Sequence, residues 1–216
     1  MQIVPVREYW SEILKTGETV YAGLIFRVPP RLWRPLRLVQ DELRKSDDRQ
    51  LFAHPSTFHV SVKGLGYLNE ETDLVKYETI LSKIGKIISK FPAFQVEIKG
   101  MGVFPTAVYA KVEDTSGVFK SINTMISQEL KGEVEQSRYD REEFVPHVTL
   151  LTFNTEEAPA ILEKVEEKRD ADFGQAGVFE IELVEVNMLL ALGPEETQEG
   201  AYSYMRSFHL GPLAKR

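Results

Sequence analysis

Apolar positions along this chain switch between a period of two and a period near 3.6, and the switches divide it into strands and helices. Thr19 to Val28 is rich in β-branched and aromatic residues and reads as a strand stopped by Pro29-Pro30. Leu32, Trp33, Leu36, Val39 and Leu43 then recur at helical spacing. A polar loop leads to a strand from Phe58 to Lys63, which Gly64 and Gly66 interrupt. Leu74, Ile80, Leu81, Ile84 and Ile87-Ile88 predict a helix that Phe91-Pro92 ends. Phe94 to Ile98 and Ala107 to Val112 form a predicted hairpin, and Val118, Ile122, Met125, Ile126 and Leu130 mark another helix. Glu156 to Arg169 reads as a charged surface helix, Phe179 to Leu192 as a long strand, 193–200 as an acidic turn and Tyr202 to Leu210 as a last strand. The first eighteen residues lack a clear period and predict a short helix ending at Gly17. Hairpins interleaved with helices imply an α+β fold.

Two of the strands carry one pattern, Phe58-His59-Val60-Ser61-Val62 and Pro146-His147-Val148-Thr149-Leu150. Side chains alternate along a strand, so each histidine shares a face with its hydroxyl residue, about 6.6 Å away. His54-Pro55-Ser56 has the same letters, but its proline has no amide to give a sheet and marks a loop. Val20-Tyr21-Ala22 recurs as Val108-Tyr109-Ala110, and the steps 20 to 108 and 59 to 147 are both 88 residues. With a helical segment between the landmarks in each copy, the chain reads as one bilobal domain over 1–216. Its repeat halves lie at about 19–66 and 107–152, after an extension over 1–18. A pseudo-twofold arrangement then turns the two His/hydroxyl pairs toward one cleft. His209 has no hydroxyl partner two residues on and reads as structural.

Composition narrows the chemistry. With 216 residues, 43% of them hydrophobic, the chain buries a sizeable core. The lack of cysteine excludes disulfides, thiolate metal sites and cysteine nucleophiles, and fits a cytoplasmic protein. No apolar stretch of membrane-spanning length and no leader is read in the sequence. A net charge of −7 argues against a broad grip on nucleic acid but leaves room for a local phosphate pocket. The arginines around 31–49 read as a solvated helix face.

The two His-x-Ser/Thr strands, Lys63-Gly64-Leu65-Gly66, Gly100-Met101-Gly102-Val103-Phe104-Pro105 and Phe144-Val145-Pro146-His147-Val148-Thr149-Leu150 together resemble the 2H phosphoesterase superfamily. Within it the chain is most similar to the RNA 2′,3′-cyclic phosphodiesterases, also called 2′-5′ RNA ligases. The resemblance implies two antiparallel sheets lining a central cleft with helices outside, and catalytic roles for His59, Ser61, His147 and Thr149. It also implies hydrolysis of 2′,3′-cyclic phosphate ends of RNA or small cyclic nucleotides to 2′-phosphates, by a monomer, with no cofactor or metal. Two imidazoles suit that reaction, because one can be neutral while the other is protonated near neutral pH. Two other readings stay open: a non-catalytic RNA-end or nucleotide-binding protein on the same fold, and 2′-5′ RNA ligase activity. A metallohydrolase using His54, His59 and His147 lacks the usual ligand spacing.

The chain departs from the family at one position. The cyclic phosphodiesterase branch usually has an arginine five residues past the second histidine, where this chain has Thr152. Threonine cannot supply a bidentate cation. Lys63, Arg138 and Arg141 are the substitutes in the sequence, with ordinary surface charge as the alternative for each. Tyr202 and Tyr204 lie near the family's region for a base-stacking lid, with half-buried packing as the alternative.

Overall fold

A computed structural model describes residues 2–11, 19–68, 73–134 and 144–212. In chain order the elements are α1 (Val6–Tyr9), β1 (Val20–Arg27), α2 (Trp33–Ser46), β2 (Leu51–Phe52), β3 (His59–Leu68), α3 (Leu74–Ile88), β4 (Phe94–Phe104), β5 (Ala107–Glu113) and α4 (Val118–Glu129). They continue as β6 (His147–Thr152), α5 (Pro159–Glu167), β7 (Asp172–Val178), β8 (Glu180–Asn187), α6 (Met188–Ala191), α7 (Glu195–Gln198) and β9 (Tyr202–His209). The strands make one curled antiparallel sheet in the order β7-β4-β5-β6-β3-β1-β8-β9, with β2 paired to β6.

The expected two sheets are therefore one. Its halves, β7-β4-β5-β6 and β3-β1-β8-β9, are joined where β3 meets β6, and Val60 opposite Val148 is the single pair recorded there. By contrast, β1 pairs with β3 along its whole length. The two strands of the join belong to opposite halves and share little register, so the sequence pattern of each half shows no sign of it.

Helices cover one face of this sheet. Leu36 and Leu43 of α2, Ile84 and Ile87 of α3, Phe119 and Ile122 of α4 and Ile161 of α5 share a core with Leu24, Phe26, Val60, Val62, Val148 and Leu150. Because Val60 and Val148 face this core, alternation turns the residues on either side of them to the opposite, uncovered face. Phe119 binds the halves together: its ring lies 5.9 Å from Phe26 of β1 and 5.0 Å, edge-on, from Phe94 of β4. Gln40 of α2, fully buried, ties the helix to the second motif strand by donating to the carbonyls of Ala53 (2.8 Å) and Leu150 (2.6 Å). Gln40→Ala removes the side-chain donor to the Ala53 carbonyl and one of two donors to the Leu150 carbonyl, which also accepts from the Ala53 amide at 2.9 Å, and chemical denaturation should show a loss of about 1–3 kcal/mol. A change within experimental error would mean that these bonds contribute nothing net.

Several boundaries differ from the sequence reading. The strand expected to run to Leu192 ends at Asn187, whose side chain accepts from the amides of Leu189 (3.1 Å) and Leu190 (3.3 Å) and so caps α6. The acidic turn contains α7, and its Glu195 pairs with both Arg37 and Arg44 of α2, so two arginines of the supposed solvated face hold this turn. Strand β7 went unread because Gly174 and Gly177 dilute its alternation. Strand β3 runs on through Gly64 and Gly66, which were expected to interrupt it, and β4 continues past its expected end at Ile98 to Phe104. Of the N-terminal extension, Ile3 and Val6 are buried and α1 is a single turn; the expected helix end at Gly17 lies outside the described residues. Among the described residues no helix is long and apolar enough to cross a membrane.

Candidate active site

The Val60–Val148 pair places the two motifs next to each other. His59 and Ser61 flank one valine and His147 and Thr149 the other, all four on the face away from the helices. Continuing the antiparallel pairing by one step sets His59 across from Thr149 and Ser61 across from His147.

Each imidazole is fixed the same way. His59 Nδ1 lies 2.7 Å from the carbonyl of Thr57, and His147 Nδ1 lies 2.7 Å from the carbonyl of Val145. A carbonyl only accepts, so each Nδ1 carries a proton and donates it, which leaves Nε2 of the neutral ring as an acceptor. His59 Nε2 is 3.1 Å from Ser61 Oγ on the uncovered face. Both carbonyls lie two residues before their histidine, so the repeated motif carries its own tautomer control.

Aromatic rings hold the outer sides. The His147 ring meets Phe104 edge-on at 4.9 Å and Tyr109 at 5.3 Å, and those two stack on each other at 4.2 Å. The His59 ring lies 5.4 Å from Tyr202. Burial disfavours the charged imidazolium, and His59 falls to about 4; its Thr57 bond opposes the shift and nearby His147 adds to it. His147 is also lowered, by burial, against the pull of its bond to Val145. Burial raises the Tyr202 phenol too.

The remaining sequence candidates separate. Tyr204 donates to the carbonyl of Ser56 at 3.1 Å and lies under the Arg27 guanidinium, 3.8 Å from ring centre to Cζ. Lys63 was expected on the motif face, two residues past Ser61. Instead β3 bulges there: Ile25 pairs with Ser61 and the next residue back, Leu24, pairs with Lys63. The bulge turns Lys63 to the register of a core leucine, and the residue is only 2% exposed. Arg138 and Arg141 lie outside the described residues. His54 belongs to the loop before β3, with Nδ1 2.7 Å from Ser56 Oγ.

A second bulge matches the first. Tyr109 pairs with Thr149 and Val108 with Leu151, so Leu150 is the extra residue and Thr152 returns to the uncovered face. Its counterpart in the first half is Gly64, where a β-carbon would sit 1.9 Å from the Tyr21 hydroxyl. The phenol occupies the space of the missing side chain. Tyr109 likewise covers Gly102, 2.5 Å from where a β-carbon would be. Opposite the two motif hydroxyls stand Ile25 and Tyr109, so the matching Val-Tyr-Ala triplets are not equivalent in the fold. Phe104 and Tyr109, which cradle His147, were missed in the sequence. The glycine two residues before Phe104 was the available signal.

Two histidine–hydroxyl strands joined on the open face of a curled antiparallel sheet are the arrangement expected of a 2H phosphoesterase. The comparisons agree. The 2′-5′ RNA ligase superfamily matches residues 23–186, most of the chain, and the protein belongs to that family. An RNA 2′,3′-cyclic phosphodiesterase of Aquifex aeolicus is 24% identical over 184 residues, covering 80% of this chain and 90% of that protein. Among solved structures, TT0787 of Thermus thermophilus superposes with a TM-score of 0.66 at 20% identity, over 89% of this chain and 98% of that one. E. coli LigT complexed with 3′-AMP gives 0.65 at 17% identity, over 88% and 97%.

Proposed function

We propose that this protein hydrolyses 2′,3′-cyclic phosphate ends of RNA or nucleotides to 2′-phosphates, with His59 and His147 as the acid–base pair. The observation that carries the reading is the shared tautomer: both rings are tied through Nδ1 to the second preceding carbonyl, on adjoining strands and one open face. The name of the Aquifex relative and the nucleotide in the LigT structure support the substrate class.

In this mechanism water attacks phosphorus and its proton passes to the bare Nε2 of one histidine. The bond from phosphorus to O3′ breaks, and the other histidine, protonated at Nε2, gives its proton to O3′. Solvent exchange restores the starting pair. Burial lowers both imidazoles; we assign His59 the base role and His147 the acid role, an assignment that the pH profiles of the two single variants decide. Ser61 and Thr149 donate to the non-bridging oxygens, where charge builds up.

The test is purified protein with 2′,3′-cyclic AMP in the presence of a chelator, the product identified by chromatography. Turnover to 2′-AMP is expected, and saturable binding without turnover would favour the non-catalytic reading that Thr152 keeps in play. Ser61→Ala and Thr149→Ala should each lower kcat about 10- to 10³-fold. Unchanged kcat in both variants would remove the hydroxyls from the mechanism.

A further inference from the structure

The open face holds a cation that the acid–base chemistry does not use. Arg27, the last residue of β1, pairs in register with His59 and shares its face. Glu182 of β8 holds the guanidinium on one edge: Nε donates to Oε2 at 2.8 Å and Nη2 donates to Oε1. The Tyr204 ring lies against its flat side. Glu182 is 7% exposed, whereas the Arg27 side chain keeps 40% exposure. This is an arginine whose orientation is set from below and from the side while its far end stays open.

A guanidinium presents five N–H donors on two usable edges. Glu182 consumes the edge made by Nε and Nη2. The edge made by Nη1 and the second N–H of Nη2 remains, and among the described residues no hydrogen bond to Nη1 is recorded. That edge fits a phosphate bidentately. A second cation on this face, Lys111, pairs in register with His147, and its Cδ lies 3.4 Å from where a β-carbon on Gly100 of β4 would sit, on the far side from β3.

Position decides which phosphate. The reacting group lies between the two histidines, at the seam of β3 and β6. Arg27 is one strand further out than His59 and two from His147, about 4.8 Å per strand. We infer that the open edge of Arg27, held by Glu182 and Tyr204, binds a second phosphate of the substrate, one nucleotide step from the cyclic end. The protein thereby favours an oligoribonucleotide end over a cyclic mononucleotide. This rests on the function proposed above.

The experiment compares a dinucleotide ending in a 2′,3′-cyclic phosphate with 2′,3′-cyclic AMP, which has no second phosphate. The wild type should prefer the dinucleotide in kcat/KM. Arg27→Lys keeps a charge beside Glu182 but offers no second edge, and should cut the dinucleotide-to-mononucleotide ratio about tenfold or more, mainly through KM. The double variant R27M/E182M removes both charges together, sparing the fold a buried unpaired carboxylate, and should cut the ratio at least as far. The wild-type preference should also weaken with salt, and less so in the variants. Equal losses on both substrates would mean that Arg27 serves the reacting phosphate or supports His59, and no loss on either would mean that it is structural; both overturn the inference. Binding of the 2′-phosphate products, dinucleotide against 2′-AMP, gives the same comparison without turnover. A protein that hydrolyses neither substrate but loses the dinucleotide preference on Arg27→Lys would refute the proposed reaction and keep this site.

Discussion

His59→Ala and His147→Ala are each expected to slow hydrolysis of 2′,3′-cyclic AMP by about 10²–10⁴-fold, and the double variant should be scarcely slower than either. The non-additivity follows from a single concerted step that needs both proton transfers. The pH profile carries the role assignment. As a base His59 must be unprotonated, so kcat/KM should rise as pH climbs through about 4. As an acid His147 must be protonated, so kcat/KM should fall as pH climbs through its value below the usual 6.5. The maximum therefore lies on the acid side of 6.5. Bound phosphate favours imidazolium, so the falling limb of kcat should lie at higher pH than that of kcat/KM. Residual activity of His59→Ala should lose the rising limb, and that of His147→Ala the falling one. The opposite assignment of limbs would exchange the roles, and a single histidine variant with near wild-type turnover would end the paired account.

The second large effect is expected in the core. Phe119→Ala should lower unfolding stability by about 3–5 kcal/mol, because its ring fills the space between Phe26 and Phe94 and touches both halves of the sheet. In urea the midpoint should fall with little change in slope. Turnover per folded molecule should persist, since Phe119 belongs to the helix-covered face and not to the histidine face. A loss below about 1 kcal/mol would show that neighbouring side chains close the cavity.

The strongly periodic parts of the fold were legible in the sequence. Helices α2, α3 and α4 lie within a few residues of their apolar stripes, and both motif strands were read as strands. The motif histidines were readable because a short strand pattern, repeated at one spacing, keeps each histidine on the same face as its hydroxyl. What stayed hidden depends on partners far along the chain. The bulge that removes Lys63 from the site is a mismatch between β3 and β1, so no inspection of β3 alone reveals it. Arg27 finds Glu182 across 155 residues, and a lone arginine after an apolar strand looks like a strand end. The end of β8 was visible as an asparagine, but a capping side chain has meaning only once the following turn is known.

The narrow seam at Val60 and Val148 also bears on how such a protein changes over generations. Where two β-layers share a long hydrogen-bonded border, a substitution on one side must be matched on the other, since cross-strand neighbours pack as pairs. Here the border is one valine pair, and past it each half answers chiefly to its own strands. The strand residues at the seam can therefore diverge with little cross-border matching, while the shared core, where Phe119 touches both halves, ties the rest together. The chain bears marks of that freedom, with serine in one motif and threonine in the other, and a phenol-filled glycine at 64 where its counterpart at 152 is a threonine.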